Sequence, residues 1–167
     1  MDTFGRGIVV PFFAILFPLL WYVNRNLTTD VLPPTVEPSF GLIAAGIAVA
    51  VVGAAVGAAI TSMLLRRYDG ESASTSRVRR VFVPPPRALR LFLGCMAVIG
   101  VIAAILFSGG GPEWLRTVLL VAVVPFVVPF VLLAPLAIHS HLATILGLVC
   151  IPLWCSLVST LVAGFDR

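Results

Sequence analysis

The only two histidines of the chain, His139 and His141, flank Ser140 between two apolar runs. A His-x-His pair can bind a metal, ligate haem or titrate near neutral pH. Metal sites generally need more ligands than two, and Cys150 lies more than one helical turn inside the next run. We therefore interpret the pair as polar turn residues at the level of the lipid headgroups, and we predict no metal and no cofactor.

The three cysteines, Cys95, Cys150 and Cys155, all lie inside apolar runs. An odd number of such cysteines does not make a disulfide framework. The interiors of the runs contain no Asp, Glu, Lys or Arg, whereas general acid–base catalysis needs a titratable group and ion-coupled transport usually needs one at depth. The sequence also lacks a phosphate-cradling loop and a serine nucleophile elbow. We predict that the protein is not an enzyme.

Most of the chain consists of apolar runs of about twenty residues, so these runs must position any functional side chain. Of the 167 residues, 60% are hydrophobic and 11% are charged, whereas a soluble domain usually carries about 25% charged residues. Helices of this length cross about 30 Å of hydrocarbon. We predict an all-α polytopic bundle, one integral membrane domain over residues 1–167, with spans at residues 8–23, 40–65, 89–107, 115–138 and 142–165.

The first run is short and contains Pro11 and Pro18. If it lies on the membrane or re-enters it, the number of spans is four. A run that crosses the membrane gives five spans, and the two ends of the chain then lie on opposite sides. We predict the five-span arrangement.

The orientation follows from the arginines, which supply all eleven basic residues of the chain. Seven of them lie between residues 66 and 90, and basic loops near membrane ends stay in the cytoplasm. The loop of residues 66–88 and the N-terminus are therefore predicted to be cytoplasmic. The absence of lysine is typical of a GC-rich genome, so we expect a prokaryotic cell membrane. The arginines expected to contact anionic lipid headgroups of the inner leaflet are Arg77, Arg79, Arg80, Arg87 and Arg90.

Small residues recur at helical spacing along the second run. Gly53 and Gly57 form a small-xxx-small pair, and Gly46 and Ala50 extend the set. Small side chains allow two helix backbones to approach closely. The pattern predicts a helix-packing interface, either with a partner protein or second copy, or with another helix of the same chain.

Pro125 and Pro129 lie one turn apart in the fourth run. Each lacks an N–H group, so a bend is predicted there. The carbonyl groups that the prolines leave without a donor could line a polar path or could be satisfied by neighbouring helices.

The sequence favours a non-enzymatic structural or accessory subunit, or an assembly factor, of a membrane complex. The expected partners are the lipid bilayer and a membrane protein or second copy. Nucleic acid is not expected, because the basic stretch is short and Phe82 is its only aromatic residue. A small permease or channel for a neutral solute is the alternative.

Overall fold

The computed structural model describes residues 3–26, 39–67, 81–107, 112–137 and 140–165. These residues form five long helices, and each contains a stretch long and apolar enough to cross a membrane. The prediction of an all-α fold with five helices of membrane-spanning length is confirmed. The helices are α1 (Thr3–Arg25), α2 (Phe40–Arg67), α3 (Pro86–Phe107), α4 (Glu113–Ala137) and α5 (His141–Phe165).

The helices begin at residues that suit a helix N-terminus. Ser39 precedes α2, and its hydroxyl oxygen accepts a hydrogen bond from the backbone N–H of Leu42 at 3.3 Å, as an N-cap residue does. Pro86 is the first residue of α3, where the missing N–H would have no partner in the helix. Pro112 precedes α4, and its carbonyl accepts from the N–H of Leu115 at 3.0 Å.

The first helix continues through Pro11 and Pro18. Its apolar stretch, Arg6–Arg25, contains 20 residues, and a transmembrane helix needs about 20. The described helix is therefore longer than the predicted run of residues 8–23. Its length meets the requirement of the five-span arrangement.

The chain divides into two compact units, Met1–Val83 and Pro84–Arg167. In the first unit α1 and α2 pack against each other, and in the second unit α5 packs against both α3 and α4. The assignment of the whole chain to one integral membrane domain stays a prediction.

Candidate functional site

One face of α2 is buried by a row of small residues. Ala50, Ala54, Ala58 and Ser62 follow one another at intervals of four residues, and none is more than 4% exposed. Residues four apart lie on the same side of a helix. The row continues the spacing that starts at Gly46, which is half-buried.

The two predicted glycines lie beside this row and against α1. A Cβ atom on Gly57 would lie 2.8 Å from Cδ1 of Ile15, and one on Gly53 would lie 3.3 Å from Cδ1 of Leu19. The two pairs run in opposite chain directions, so α1 and α2 are antiparallel. Gly53 and Gly57 of the predicted interface therefore lie close to a helix of the same chain, and contact of this interface with a partner or second copy stays a prediction.

The hydroxyl groups near this face are satisfied inside α2. The Thr61 side chain donates to the carbonyl of Gly57 at 2.8 Å, and the Ser62 side chain donates to the carbonyl of Ala59 at 2.9 Å. Ser and Thr side chains in helices commonly bond to the preceding turn. These two hydroxyl groups therefore donate within α2 and do not need a partner on another helix.

A different face of α2 is exposed and carries four small residues and one valine. Gly41, Ala45, Ala48, Val52 and Ala55 follow one another in alternating steps of four and three residues. This spacing places them on one face, and all five are exposed. A Cβ atom on Gly41 would meet no described residue within 4 Å. This second face was not predicted, although its four-three spacing is visible in the sequence.

The fourth helix is kinked, as its prolines predict. Val127 has φ −108° and ψ 15°, outside the helical range. Pro129 has no N–H to donate to the carbonyl of Pro125, four residues earlier. The indole Nε1–H of Trp154, on α5, donates to that oxygen at 3.1 Å. The Cys155 thiol makes a longer contact of 3.7 Å, from Sγ to the carbonyl oxygen of Phe126.

The carbonyl group that Pro129 leaves without a donor is therefore satisfied by a neighbouring helix. Close approach of α4 and α5 supports this contact, because a Cβ atom on Gly147 would lie 2.8 Å from Cδ2 of Phe130. The role of Trp154 as a hydrogen-bond donor was not predicted from the sequence. The available signal was an indole in the middle of an apolar run, since a buried indole N–H needs an acceptor.

The histidines and cysteines are not gathered into a metal site in the described part of the chain. No group of three or more His, Cys, Asp or Glu side chains there could hold a metal ion. His141 is the first residue of α5 and is exposed, and His139 lies outside the described residues. The three cysteines are free thiols.

Two of the five arginines expected to contact lipid are described. Arg87 and Arg90 lie in the first turns of α3, and both are exposed. Arg77, Arg79 and Arg80 lie outside the described residues. Contact of these arginines with anionic headgroups stays a prediction.

Comparisons with protein-family models, with curated proteins and with solved structures found no match to this chain. A function is therefore inferred from three structural features. These are the α1–α2 contact over small residues, the exposed small-residue face of α2, and the α4 kink whose free carbonyl is bonded by α5.

Proposed function

We propose that the protein is a non-enzymatic structural or accessory subunit, or an assembly factor, of a complex in a prokaryotic cell membrane. The observation that carries this proposal is the exposed small-residue face of α2, formed by Gly41, Ala45, Ala48, Val52 and Ala55. Its occupant in the proposal is a helix of a membrane protein partner or of a second copy.

The α1–α2 contact supports this proposal because it is an example, within the same molecule, of a helix that packs over small residues of α2. At Gly53 and Gly57 the absence of a side chain lets Leu19 and Ile15 approach the α2 backbone. Small residues face other helices in membranes because close backbone approach increases dispersion contacts. The exposed face carries small residues, apart from Val52, at the alternating spacing that pairs helices in coiled coils.

The test is purification from the native membrane in a mild detergent, followed by identification of proteins present in stoichiometric amount. We expect such a partner, or a defined oligomer of the chain itself. The variant Ala45→Trp places a large side chain on the exposed face and should release the partner. Ile60→Trp is the control, because Ile60 is 54% exposed and no residue of the exposed face lies three or four positions from it, and it should retain the partner.

A monomer without any stoichiometric partner would contradict the proposal. Retention of the partner by Ala45→Trp would show that the complex does not use this face. Equal loss in both tryptophan variants would mean that α2 tolerates no large side chain, and the face would then have no special role.

The second candidate is a small permease or channel for a neutral solute. The kink at Val127 favours it, because interrupted helices frequently line transport paths. The test is solute flux into liposomes that contain only this chain. Flux that is absent from protein-free liposomes, and is lost when the kink is removed by Pro129→Ala, would support the permease and displace the subunit proposal.

A further inference from the structure

The last two turns of α2 carry a groove that ends at an arginine. Ile60, Met63, Leu64 and Arg67 are the described residues that line it, and the groove is shallow and widely open. The spacing of three, four and seven residues from Ile60 places these side chains on one face. The three apolar side chains are each at least half exposed, at 54%, 59% and 50%.

The groove is apolar along α2 and ends at a positive charge, which matches the acyl chain and the headgroup phosphate of a phospholipid. The apolar stretch of α2 ends at Leu65, so Ile60, Met63 and Leu64 lie at hydrocarbon depth and Arg67 lies just beyond it. The distance along the helix from Ile60 to Arg67 is about 10 Å, and one leaflet of hydrocarbon is about 15 Å thick. An acyl chain in the groove would therefore place its headgroup phosphate beside Arg67.

The charge at this end of the first unit is positive. In the sequence, the two stretches at this end, residues 1–6 and 66–80, contain six arginines and three acidic residues. Because α1 and α2 are antiparallel, Arg6 of α1 lies toward the same membrane surface as Arg67. The Nε atom of Arg6 is buried and has no hydrogen-bond partner among the described residues. The sequence near this surface therefore has a net positive charge, which favours an anion there.

We propose that this groove is a binding site for an anionic phospholipid. Ile60, Met63 and Leu64 contact the acyl chain, and the guanidinium of Arg67 pairs with the phosphate. The inference does not depend on the proposed subunit role; it rests on α2 crossing the membrane. In the predicted orientation the site belongs to the cytoplasmic leaflet. A soluble anion would make no contact with the apolar side chains of the groove. A zwitterionic lipid would be attracted less strongly to the arginine than an anionic one.

The test is native mass spectrometry of the full chain in detergent, titrated with phosphatidylglycerol or with phosphatidylcholine of the same acyl chains. We expect tighter binding of phosphatidylglycerol to the wild type. Arg67→Gln should weaken phosphatidylglycerol binding about five-fold, the factor that corresponds to about 1 kcal/mol for one arginine near anionic lipid, and should leave phosphatidylcholine binding unchanged. Arg25→Gln is the matched control, because Arg25 lies at the other end of the first unit and stacks over Trp21 at 5.6 Å.

A second variant tests the apolar part of the groove. Met63→Asp places a charge on the groove wall and should weaken the binding of both lipids. The proposal is overturned if Arg67→Gln binds phosphatidylglycerol as the wild type does, or if Arg25→Gln loses as much affinity. Displacement of the lipid by millimolar inorganic phosphate would identify a soluble-anion site instead, and would also overturn it.

Discussion

At the scale of single residues, the glycines of the helices differ in what a methyl group would meet. At Gly57 it would meet the Cδ1 atom of Ile15, the mobile end of an aliphatic side chain. At Gly147 it would meet the ring of Phe130, whose Cδ2 and Cε2 atoms lie at 2.8 Å and 3.5 Å from the Cβ position. At Gly94 it would meet nothing within 4 Å. Replacement of glycine by alanine therefore has different consequences at these three positions.

We expect Gly147→Ala to destabilise the second unit. The added methyl group must displace an aromatic ring, and overpacking of this kind costs about 1–3 kcal/mol. The matched control is Gly94→Ala, which has open space and should gain up to about 1 kcal/mol from the helix propensity of alanine. The measurement is unfolding of the detergent-solubilised protein by a graded denaturant. Equal stability of the two variants would contradict the close α4–α5 contact.

Trp154→Phe tests the hydrogen bond that closes the kink. Phenylalanine keeps an aromatic ring but cannot donate to the Pro125 carbonyl, so we expect a loss of about 1 kcal/mol. Trp114→Phe is the control, because Trp114 is 67% exposed, and the same unfolding measurement should show no change. If the two tryptophan variants unfold alike, the indole contributes nothing to the kink.

At the scale of the elements, the positions of the helices and the presence of the α4 bend could be predicted from the sequence. The length of each apolar run determines the position of its helix. The missing N–H groups of Pro125 and Pro129 determine the bend. What the sequence could not supply was the partner of the carbonyl that Pro129 leaves without a donor. That partner depends on the alignment of α5 with α4, which brings Trp154 within 3.1 Å of Pro125. A pattern within one helix contains no information on that alignment.

Pro129→Ala tests whether this proline keeps the helix open at the kink. The alanine supplies an N–H group that can donate to the Pro125 carbonyl in place of Trp154. We expect amide hydrogen exchange across residues 126–130 to slow by about five-fold or more, as one additional backbone hydrogen bond of about 1 kcal/mol implies. Pro135→Ala is the control, since Pro135 lies near the end of α4 and should change exchange only there. Unchanged exchange at residues 126–130 would contradict this role of Pro129.

At the scale of the whole molecule, the predicted spans correspond to the five helices, with ends that differ by a few residues. The faces that meet were harder to predict, because a helix that is apolar on all sides has no stripe to mark its neighbour. In α2 the glycine pair indicated a packing face, and Gly53 and Gly57 do pack against α1. The division into two units at Val83 and Pro84 was not predicted. Orientation depends on the arginines of residues 66–90, and residues 68–80 lie outside the described part of the chain, so it stays a prediction.

The most direct test of the account is the sidedness of the loops in intact cells. In a chain with Cys95, Cys150 and Cys155 replaced by serine, single cysteines are introduced and treated with a membrane-impermeant thiol reagent from outside. Five spans with a cytoplasmic N-terminus predict labelling of Thr28→Cys and Ser108→Cys. Thr3→Cys, Ser76→Cys and Ser140→Cys should react only after the membrane is permeabilised. Labelling of Thr3→Cys in intact cells would contradict the crossing of the first helix, and labelling of Ser76→Cys or protection of Ser108→Cys would contradict the predicted orientation.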